Sequence, residues 1–120
     1  MKQFPIEEIY KEVGKIVNNF SLLQCDKCAS SVVAWLKQNK IPYKIIRLKT
    51  RYDDEDFIIS ERLERQGITE SITVNGNHYG VEIQGRVFDN ISSEGMLRDD
   101  WVNDFHCPSE DFIVEEVEEL

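Results

Sequence analysis

The sequence predicts an α+β fold in which N-terminal helices pack on a mostly antiparallel sheet. Two amphipathic helical patterns come first, and short runs of β-branched and aromatic residues separated by turn dipeptides follow them. Helices that precede an antiparallel sheet bury their apolar faces against one side of it, so this order indicates a layered arrangement. The length of 120 residues suits one core, and we expect a single domain over residues 1–120.

The first helix is predicted directly after Pro5, and the second is predicted to begin near Cys25. Proline suits the first turn of a helix because the N–H that it lacks would have no partner there. The second helix lies in the run QCDKCASSVVAWLKQNK, where small and apolar residues recur at three- and four-residue steps. The apolar stripe of the first helix is Ile6, Ile9, Tyr10, Val13, Ile16 and Val17, and that of the second is Cys25, Cys28, Ala29, Val32, Val33 and Leu36.

The first strand is predicted in YKIIRLKT, which follows Ile41-Pro42 and ends at the polar loop RYDDED. Residues 57–66 fit two structures, because FII suits a strand and SERLERQ suits a short helix capped by Ser60. Both interpretations of that segment stay open.

A β-meander is predicted in ITVNGNHYGVEIQGRVFDNI, because the dipeptides NG at 75–76 and QG at 84–85 separate short runs of Val, Ile, Tyr and Phe. The dipeptide EG at 94–95 predicts a further turn. The four-residue spacing in LRDDWVNDF predicts a last helical segment, and FIVEEV predicts a last strand.

Composition excludes several classes of protein. A hydrophobic fraction of 41% supports a folded core and excludes a disordered chain. The start MKQFPIEEIYKEV is charged where a signal peptide needs an apolar stretch, and no run approaches the ~20 apolar residues of a membrane span. We therefore expect a soluble, cytoplasmic, unprocessed chain with no membrane partner.

The net charge of −9 would repel a polyphosphate backbone, so we expect no nucleic-acid partner. The negative charge is concentrated after residue 50, and nothing basic follows Arg98. The acidic end fits a solvated edge, and the alternative is a docking surface for a basic partner or a sister domain.

Three cysteines in a chain with no export signal predict free thiols, and Cys25 is the one placed for chemistry. A helix N-terminus favours a thiolate, because its unpaired N–H groups carry partial positive charge. His78 opens a strand after the NG turn, and Asp89 returns beside it across the QG hairpin. A cysteine, an imidazole and a carboxylate in this order predict a nucleophile, a base and an orienting group, while the strand period directs Asn90 to the opposite face.

Each of these residues also has a purely structural interpretation. A cysteine on a helix face is often a small buried apolar residue, a strand histidine is often a satisfied core or surface residue, and a DN pair commonly forms a turn. Metal binding is a competing hypothesis, since Cys25 and Cys28 with His106 or Cys107 would supply tetrahedral zinc ligands. A redox C-x-x-C is a further option, although such motifs usually follow a strand.

Three segments together resemble one family. FSLLQCDKCASSVVAWLKQNKIPYKIIRLKT, ITVNGNHYGVEI and VFDNISSEGMLRDDWVNDF are similar to the papain-fold toxin domains, second type, of bacterial polymorphic toxin systems. The motifs C-x-x-C-A, N-G-x-H and F-D-N-I-x-x-x-G carry the resemblance, which extends from the first helix to about Pro108.

The resemblance implies a papain-like fold and a Cys-His-Asp triad that acts on peptide or carboxamide bonds, as a protease or a deamidase. By position the nucleophile would be Cys25, the base His78 and the orienting group Asp89, with the Cys25 N–H and the Gln24 side chain facing the oxyanion. No cofactor or metal is expected. The expected partners are a protein substrate and an immunity protein, and a toxin of this type would be delivered into a target cell.

The sequence leaves two alternatives open. Cys28 is the second candidate nucleophile. Cys25 is preferred because the residues one helical turn after it, Cys28 and Ala29, are small or apolar and would be buried. The domain could also be a binding or immunity-like module that keeps the fold while its cysteine is inert.

Overall fold

The computed structural model describes residues 4–120, and within this range the chain forms helices on both faces of an antiparallel sheet. The helices are α1 (Ile6–Val17), α2 (Cys25–Gln38), α3 (Glu61–Arg65) and α4 (Arg98–Asn103). The strands are β1 (Lys44–Thr50), β2 (Ile59–Ser60), β3 (Asn77–Ile83), β4 (Arg86–Asp89), β5 (Ser92–Leu97), β6 (Phe105–His106) and β7 (Phe112–Val117).

The main sheet has five strands in the order β5-β4-β3-β1-β7, and every neighbouring pair is antiparallel. Strands β2 and β6 form a separate two-stranded sheet. In the centre of the main sheet, β1 pairs with β3 so that Leu48 lies opposite His78. The predicted α+β class, with N-terminal helices on a mostly antiparallel sheet, is confirmed.

The helices α1 and α2 cover one face of the sheet. Their apolar stripes meet the odd-numbered residues of β3, because successive strand residues point to opposite faces. The close approach of α1 to the sheet depends on Gly14, where an added Cβ would lie 2.5 Å from the carbonyl oxygen of Ser93. The buried members of this core include Val13, Val17, Val32, Leu36, Val81 and Ile83.

The opposite face carries a second core around Trp101 of α4, which is fully buried. Ile46 and Leu48 of β1 and Val87 of β4 contribute to it. Gly80 of β3 makes room for the indole, since an added Cβ there would lie 2.9 Å from Trp101 Cζ2. His78 points into this second core from β3.

A tight turn between β3 and β4 confirms the predicted hairpin. Gln84 and Gly85 both have positive φ, 45° and 88°, which matches the twist of two-residue hairpins. The turn pairs Val81 with Phe88 and Ile83 with Arg86, so the end of β4 reaches back along β3 toward its first residues.

Residues 57–66 contain both of the structures that the sequence left open, the short strand β2 followed by the helix α3. The Ser60 side chain accepts a hydrogen bond from the Leu63 N–H, as expected for an N-cap. The polar loop at 51–56 and the strand β7 also lie where the sequence predicts them.

Two local predictions are wrong. Residues 72–74 do not form a strand, because the Thr73 hydroxyl accepts from the Asn75 N–H and bonds the Asn77 carbonyl oxygen at 2.7 Å, which turns the chain. Gly95 does not form a turn but lies inside β5. Its φ of 75° and the Phe88 ring that covers it explain the glycine, since an added Cβ would lie 2.7 Å from that ring.

None of the helices within residues 4–120 is long and apolar enough to cross a membrane.

Candidate active site

The centre of the site is a buried pair, in which His78 Nε2 lies 2.7 Å from Asp89 Oδ2. His78 is the second residue of β3, beyond the stretch in which β3 pairs with β4, and Asp89 is the last residue of β4. The QG hairpin therefore brings these two side chains together as the sequence predicts. Both side chains are fully buried.

The Asp89 carboxylate has further donors besides His78, and these include Trp101 and Ile91. The Trp101 indole N–H donates to Oδ2 at 2.7 Å, and the Ile91 backbone N–H donates to Oδ1 at 3.0 Å. Burial raises the pKa of Asp89, but the hydrogen bond from His78 and its positive charge, with further hydrogen bonds including that from Trp101, lower it below its ordinary value. Asp89 is therefore a carboxylate at neutral pH.

The His78 ring carries a positive charge because the Asp89 carboxylate stabilises the imidazolium. Burial lowers the pKa of His78, whereas the hydrogen bond to Asp89, the interaction with the Cys25 thiol and their charges raise it to about 9. The ring packs against Trp101 at 5.7 Å and Phe105 at 5.0 Å between centroids, which excludes water from it. An imidazolium is the form that this environment favours near neutral pH.

The second ring nitrogen of His78 is left without a hydrogen-bond partner. Its Nδ1 atom is buried and has no partner within ordinary hydrogen-bond geometry among residues 4–120, and the Cys25 thiol is the other side chain whose interaction raises the pKa of the ring. Because Nε2 is engaged by Asp89, Nδ1 is the atom free to exchange a proton with a neighbouring sulfur.

Cys25 lies at the first position of α2, and its thiol interacts with the His78 ring. The first N–H groups of a helix have no intrahelical acceptor, so partial positive charge surrounds this residue. Its side chain is 7% exposed and lines a pocket of about 270 Å³. Cys25 is thus reachable from solvent while it acts electrostatically on the His78 ring.

Cys28 has a different environment one turn further into α2. It is 1% exposed, and burial, the charge of Asp89 and the charge of Cys25 raise the pKa of its thiol to about 12. A thiol with this pKa stays protonated at neutral pH and is a weak nucleophile.

Gln24 directly precedes α2 and is half-buried. Its side-chain oxygen Oε1 accepts from the Ser21 backbone N–H at 2.9 Å. This bond anchors the amide through its oxygen and leaves the Nε2 donors for another acceptor.

The pocket beside Cys25 combines exposed apolar side chains at its rim with polar lining residues. Leu23 and Val74 are 52% and 72% exposed, although large apolar side chains are usually covered. Asn77 lines the same pocket, and its Oδ1 atom is buried without a hydrogen-bond partner among residues 4–120. Asp26 is the charged residue of the lining.

Sequence reasoning missed two side chains that contact the site. In the sequence, Trp101 contributes only to the four-residue spacing that predicts α4, yet its indole N–H donates to Asp89. The strand period directs Asn90 to the face opposite Asp89 and gives no role to its side chain, yet its Nδ2 donates to the loop that leads into α2. The adjacency of Asn90 to Asp89 in F-D-N-I was the available signal, whereas the Trp101 contact depends on tertiary packing.

The structure does not support a zinc module. Within residues 4–120 no three His, Cys, Asp or Glu side chains converge so that they could hold a metal ion. His106 lies on β6 and its Nδ1 faces Glu110 Oε2 at 2.9 Å, which raises the pKa of His106. Cys107 contacts Ser109 Oγ instead. All three cysteines are free.

The model of one protein family matches this chain. The family is described as papain fold toxin 2, and the match covers residues 8–106 of the 120 residues. The match includes both cysteines of α2, His78, Asp89 and Trp101. No curated protein and no solved structure matches the chain.

Proposed function

Since this chain belongs to the papain fold toxin 2 family, whose members are papain-like toxin domains, we propose that residues 1–120 act as one cysteine-dependent hydrolase. Its substrate would be a peptide or carboxamide bond of a protein target, so that the activity is that of a protease or a deamidase. Cys25 is the nucleophile of this proposal, His78 the general base and acid, and Asp89 the group that orients the ring.

The observation that carries the proposal is the 2.7 Å pair of His78 and Asp89, with the ring interacting with a thiol at a helix start. An imidazolium and a helix N-terminus both favour a sulfur anion over a thiol. The buried carboxylate in turn stabilises the imidazolium. Cys28 is the weaker candidate, because its protonated thiol is buried.

In the first half-reaction, Cys25 Sγ attacks the carbonyl carbon of the amide and forms a C–S bond. The proton on His78 Nδ1 passes to the amide nitrogen, the C–N bond breaks, and an amine or ammonia leaves. The product on the protein is a thioester at Cys25.

In the second half-reaction, water attacks the thioester carbonyl carbon while His78 Nδ1 accepts its proton. The C–S bond breaks, a carboxylic acid leaves, and Cys25 and the imidazolium return to their starting state. Asp89 keeps Nε2 engaged throughout, so Nδ1 is always the atom that moves the proton.

The oxyanion of the tetrahedral intermediate needs preorganised donors. The backbone N–H of Cys25 and the Nε2 group of Gln24 are the donors that we propose. The bond from Ser21 N–H to Gln24 Oε1 supports this role, because it fixes the amide while its NH₂ group stays available.

A segment of a protein target suits the pocket better than a small charged metabolite does. The exposed side chains of Leu23 and Val74 at its rim would be covered by an apolar residue of such a segment. Asn77 Oδ1 would accept one of the N–H groups of the segment. We further propose action inside a target cell and restraint by an immunity protein in the producing cell.

Expression in a bacterial host tests the proposal. The parent chain and Cys28→Ala are expected to arrest growth, whereas Cys25→Ala is expected to be harmless. Mass spectrometry of the host proteins then distinguishes the two reactions, because new N-termini indicate a protease and conversion of Gln to Glu indicates a deamidase. Toxicity of Cys25→Ala equal to that of the parent would contradict the proposal and would favour a binding module whose cysteine is not catalytic.

A further inference from the structure

We infer that Asn90 is a positioning residue that fixes the start of α2, and with it the Cys25 thiol, relative to the His78–Asp89 pair. This inference rests on the function proposed above and names a residue that controls the geometry of that site. It follows from two hydrogen bonds that connect the end of β4 to the loop before α2, and from two more that close this loop.

Asn90 occupies the tight turn between β4 and β5, directly after Asp89. Its Nδ2 group donates to two successive backbone carbonyls, Ser21 O at 2.8 Å and Leu22 O at 2.9 Å. Both protons of one amide are therefore used on a loop that lies almost 70 residues earlier in the sequence.

The loop that Asn90 holds is itself closed by hydrogen bonds. Gln24 N donates to Ser21 O at 3.1 Å, and Ser21 N donates to Gln24 Oε1 at 2.9 Å. The Gln24 carbonyl then accepts from Cys28 N at 2.9 Å, which begins the hydrogen-bond ladder of α2. A shift of Ser21 would therefore move the start of the helix and the Gln24 side chain together.

The other side of the site is fixed independently. Ile91 N–H and the Trp101 indole hold Asp89, and Asp89 holds His78. Asn90 follows Asp89 in the chain, so it connects this fixed group to the loop that carries Cys25. No other side-chain hydrogen bond from the β4–β5 turn to residues 18–24 is present in the part of the chain that the structure describes.

An aspartate at position 90 would replace the two attractive hydrogen bonds by repulsion. Aspartate has the shape of asparagine but only acceptor atoms at neutral pH, and these would face two carbonyl oxygens. The Oδ1 atom of Asn90 is buried and has no hydrogen-bond partner within residues 4–120, so the side chain gains its stabilisation through the NH₂ group alone.

The test compares Asn90→Asp with a matched variant, Asn39→Asp. Asn39 Nδ2 also donates to a backbone carbonyl, Trp35 O at 2.8 Å, but it lies at the opposite end of α2 from Cys25. For each folded variant we measure the rate of Cys25 carboxamidomethylation by iodoacetamide at about pH 7 and about pH 10, by mass spectrometry. Resistance to urea is measured in parallel.

Both variants are expected to be less resistant to urea than the parent. Only Asn90→Asp is expected to lower the ratio of the Cys25 alkylation rate at about pH 7 to that at about pH 10, by about tenfold. The reason is that only the rate at about pH 7 depends on the nearby imidazolium. Asn90→Ala, which loses the donors without adding charge, should lower the ratio as well and serves if Asn90→Asp does not fold.

A parent-like ratio in folded Asn90→Asp or Asn90→Ala would overturn the inference and leave the proposed function standing. If Cys25 were alkylated at neutral pH as fast in His78→Gln as in the parent, the proposed function would be wrong, and the inference with it. A reduced ratio in Asn39→Asp would also overturn the inference, because the effect would then follow stability and not position.

Discussion

The indole N–H of Trp101 donates to Asp89 Oδ2, the same oxygen that lies 2.7 Å from His78 Nε2. One carboxylate oxygen thus serves two buried donors from two different elements. The Trp101 ring also stacks on the His78 ring, so a single side chain holds the carboxylate and shields the imidazole. This arrangement links the packing of α4 to the charge state of the site.

Trp101→Phe removes the donor to Asp89 while it keeps an aromatic ring. A buried charged acceptor that loses one hydrogen bond costs about 1–3 kcal/mol, so the free energy of unfolding should fall by that amount. Neutral-pH alkylation of Cys25 should slow by up to about tenfold, because His78 is held less firmly. Urea denaturation and mass spectrometry measure the two effects.

Trp35→Phe is the control for the loss of an indole, since Trp35 lies on α2 and packs against Phe4. It should leave the alkylation rate unchanged. Unchanged alkylation in Trp101→Phe would contradict the role given to the indole N–H.

The buried ion pair predicts a specific pH dependence of stability. The pKa of His78 rises on folding from 6.5 to about 9, so its contribution to stability is fully present below pH 6.5 and is lost as the pH rises through about 9. The pKa of Asp89 is lowered, so its contribution is present above its ordinary 3.8 and is lost as the pH falls below that value. The free energy of unfolding should therefore decline across the alkaline window.

Asp89→Asn isolates this contribution, because the amide cannot pair with an imidazolium and burial then lowers the pKa of His78. The decline between pH 6.5 and about 9 should disappear in this variant. His106→Gln, which removes the other histidine, should retain it. A decline of equal size in Asp89→Asn and the parent, measured by urea titration at each pH, would show that the pair does not titrate as described.

Gly95→Ala tests why the F-D-N-I-x-x-x-G motif ends in glycine. The added methyl group would lie 2.7 Å from the Phe88 ring at a φ of 75°. Overpacking of about 1–3 kcal/mol should add to the backbone strain. Gly67→Ala carries a similar φ of 88° with no neighbouring atom within 4 Å, so it measures the strain alone.

The expected result is a larger loss of unfolding free energy in Gly95→Ala than in Gly67→Ala, determined from urea denaturation curves. Equal losses would mean that the Phe88 ring moves aside without cost.

The apolar rim of the pocket predicts that a substitution there slows the reaction of Cys25 with a peptide reagent much more than with a small reagent. Val74→Asp should slow the reaction of Cys25 with a peptide electrophile that carries a leucine beside its reactive group, by about tenfold, because a carboxylate replaces an apolar contact. The rate with iodoacetamide should fall by much less, because this small reagent does not need the apolar contact and is affected only by the added charge near the thiol. Leu97→Asp is the matched control, since Leu97 is 63% exposed and lies on β5, outside this pocket.

Equal slowing by Val74→Asp and Leu97→Asp would place the peptide elsewhere on the surface. Mass spectrometry of the labelled chain quantifies both reactions.

The helices, the central hairpin and the His78–Asp89 contact could be predicted from the sequence because each has a local cause. Apolar periodicity places the start of α2 at Cys25. The QG turn has two positive φ angles, so the hairpin returns Asp89 to His78. In these cases the short-range pattern and the tertiary structure agree.

The remaining features depend on contacts between distant segments. Glycine with positive φ suits a turn and a close approach equally well, so only the position of Phe88 shows that Gly95 belongs to a strand. The roles of Trp101 and Asn90 follow from partners 12 and 68 to 69 residues away. Periodicity gives the face of a residue but does not identify such partners.

The rate of Cys25 alkylation at about pH 7, compared between the parent and His78→Gln, tests the central claim most directly. The account predicts that iodoacetamide modifies Cys25 in the folded parent faster than Cys28 or Cys107, because Cys25 is the thiol that interacts with the His78 ring. It also predicts that Cys25 of His78→Gln reacts at least about tenfold more slowly. Equal rates in two folded proteins would show that the imidazole does not activate the thiol, and would contradict the account.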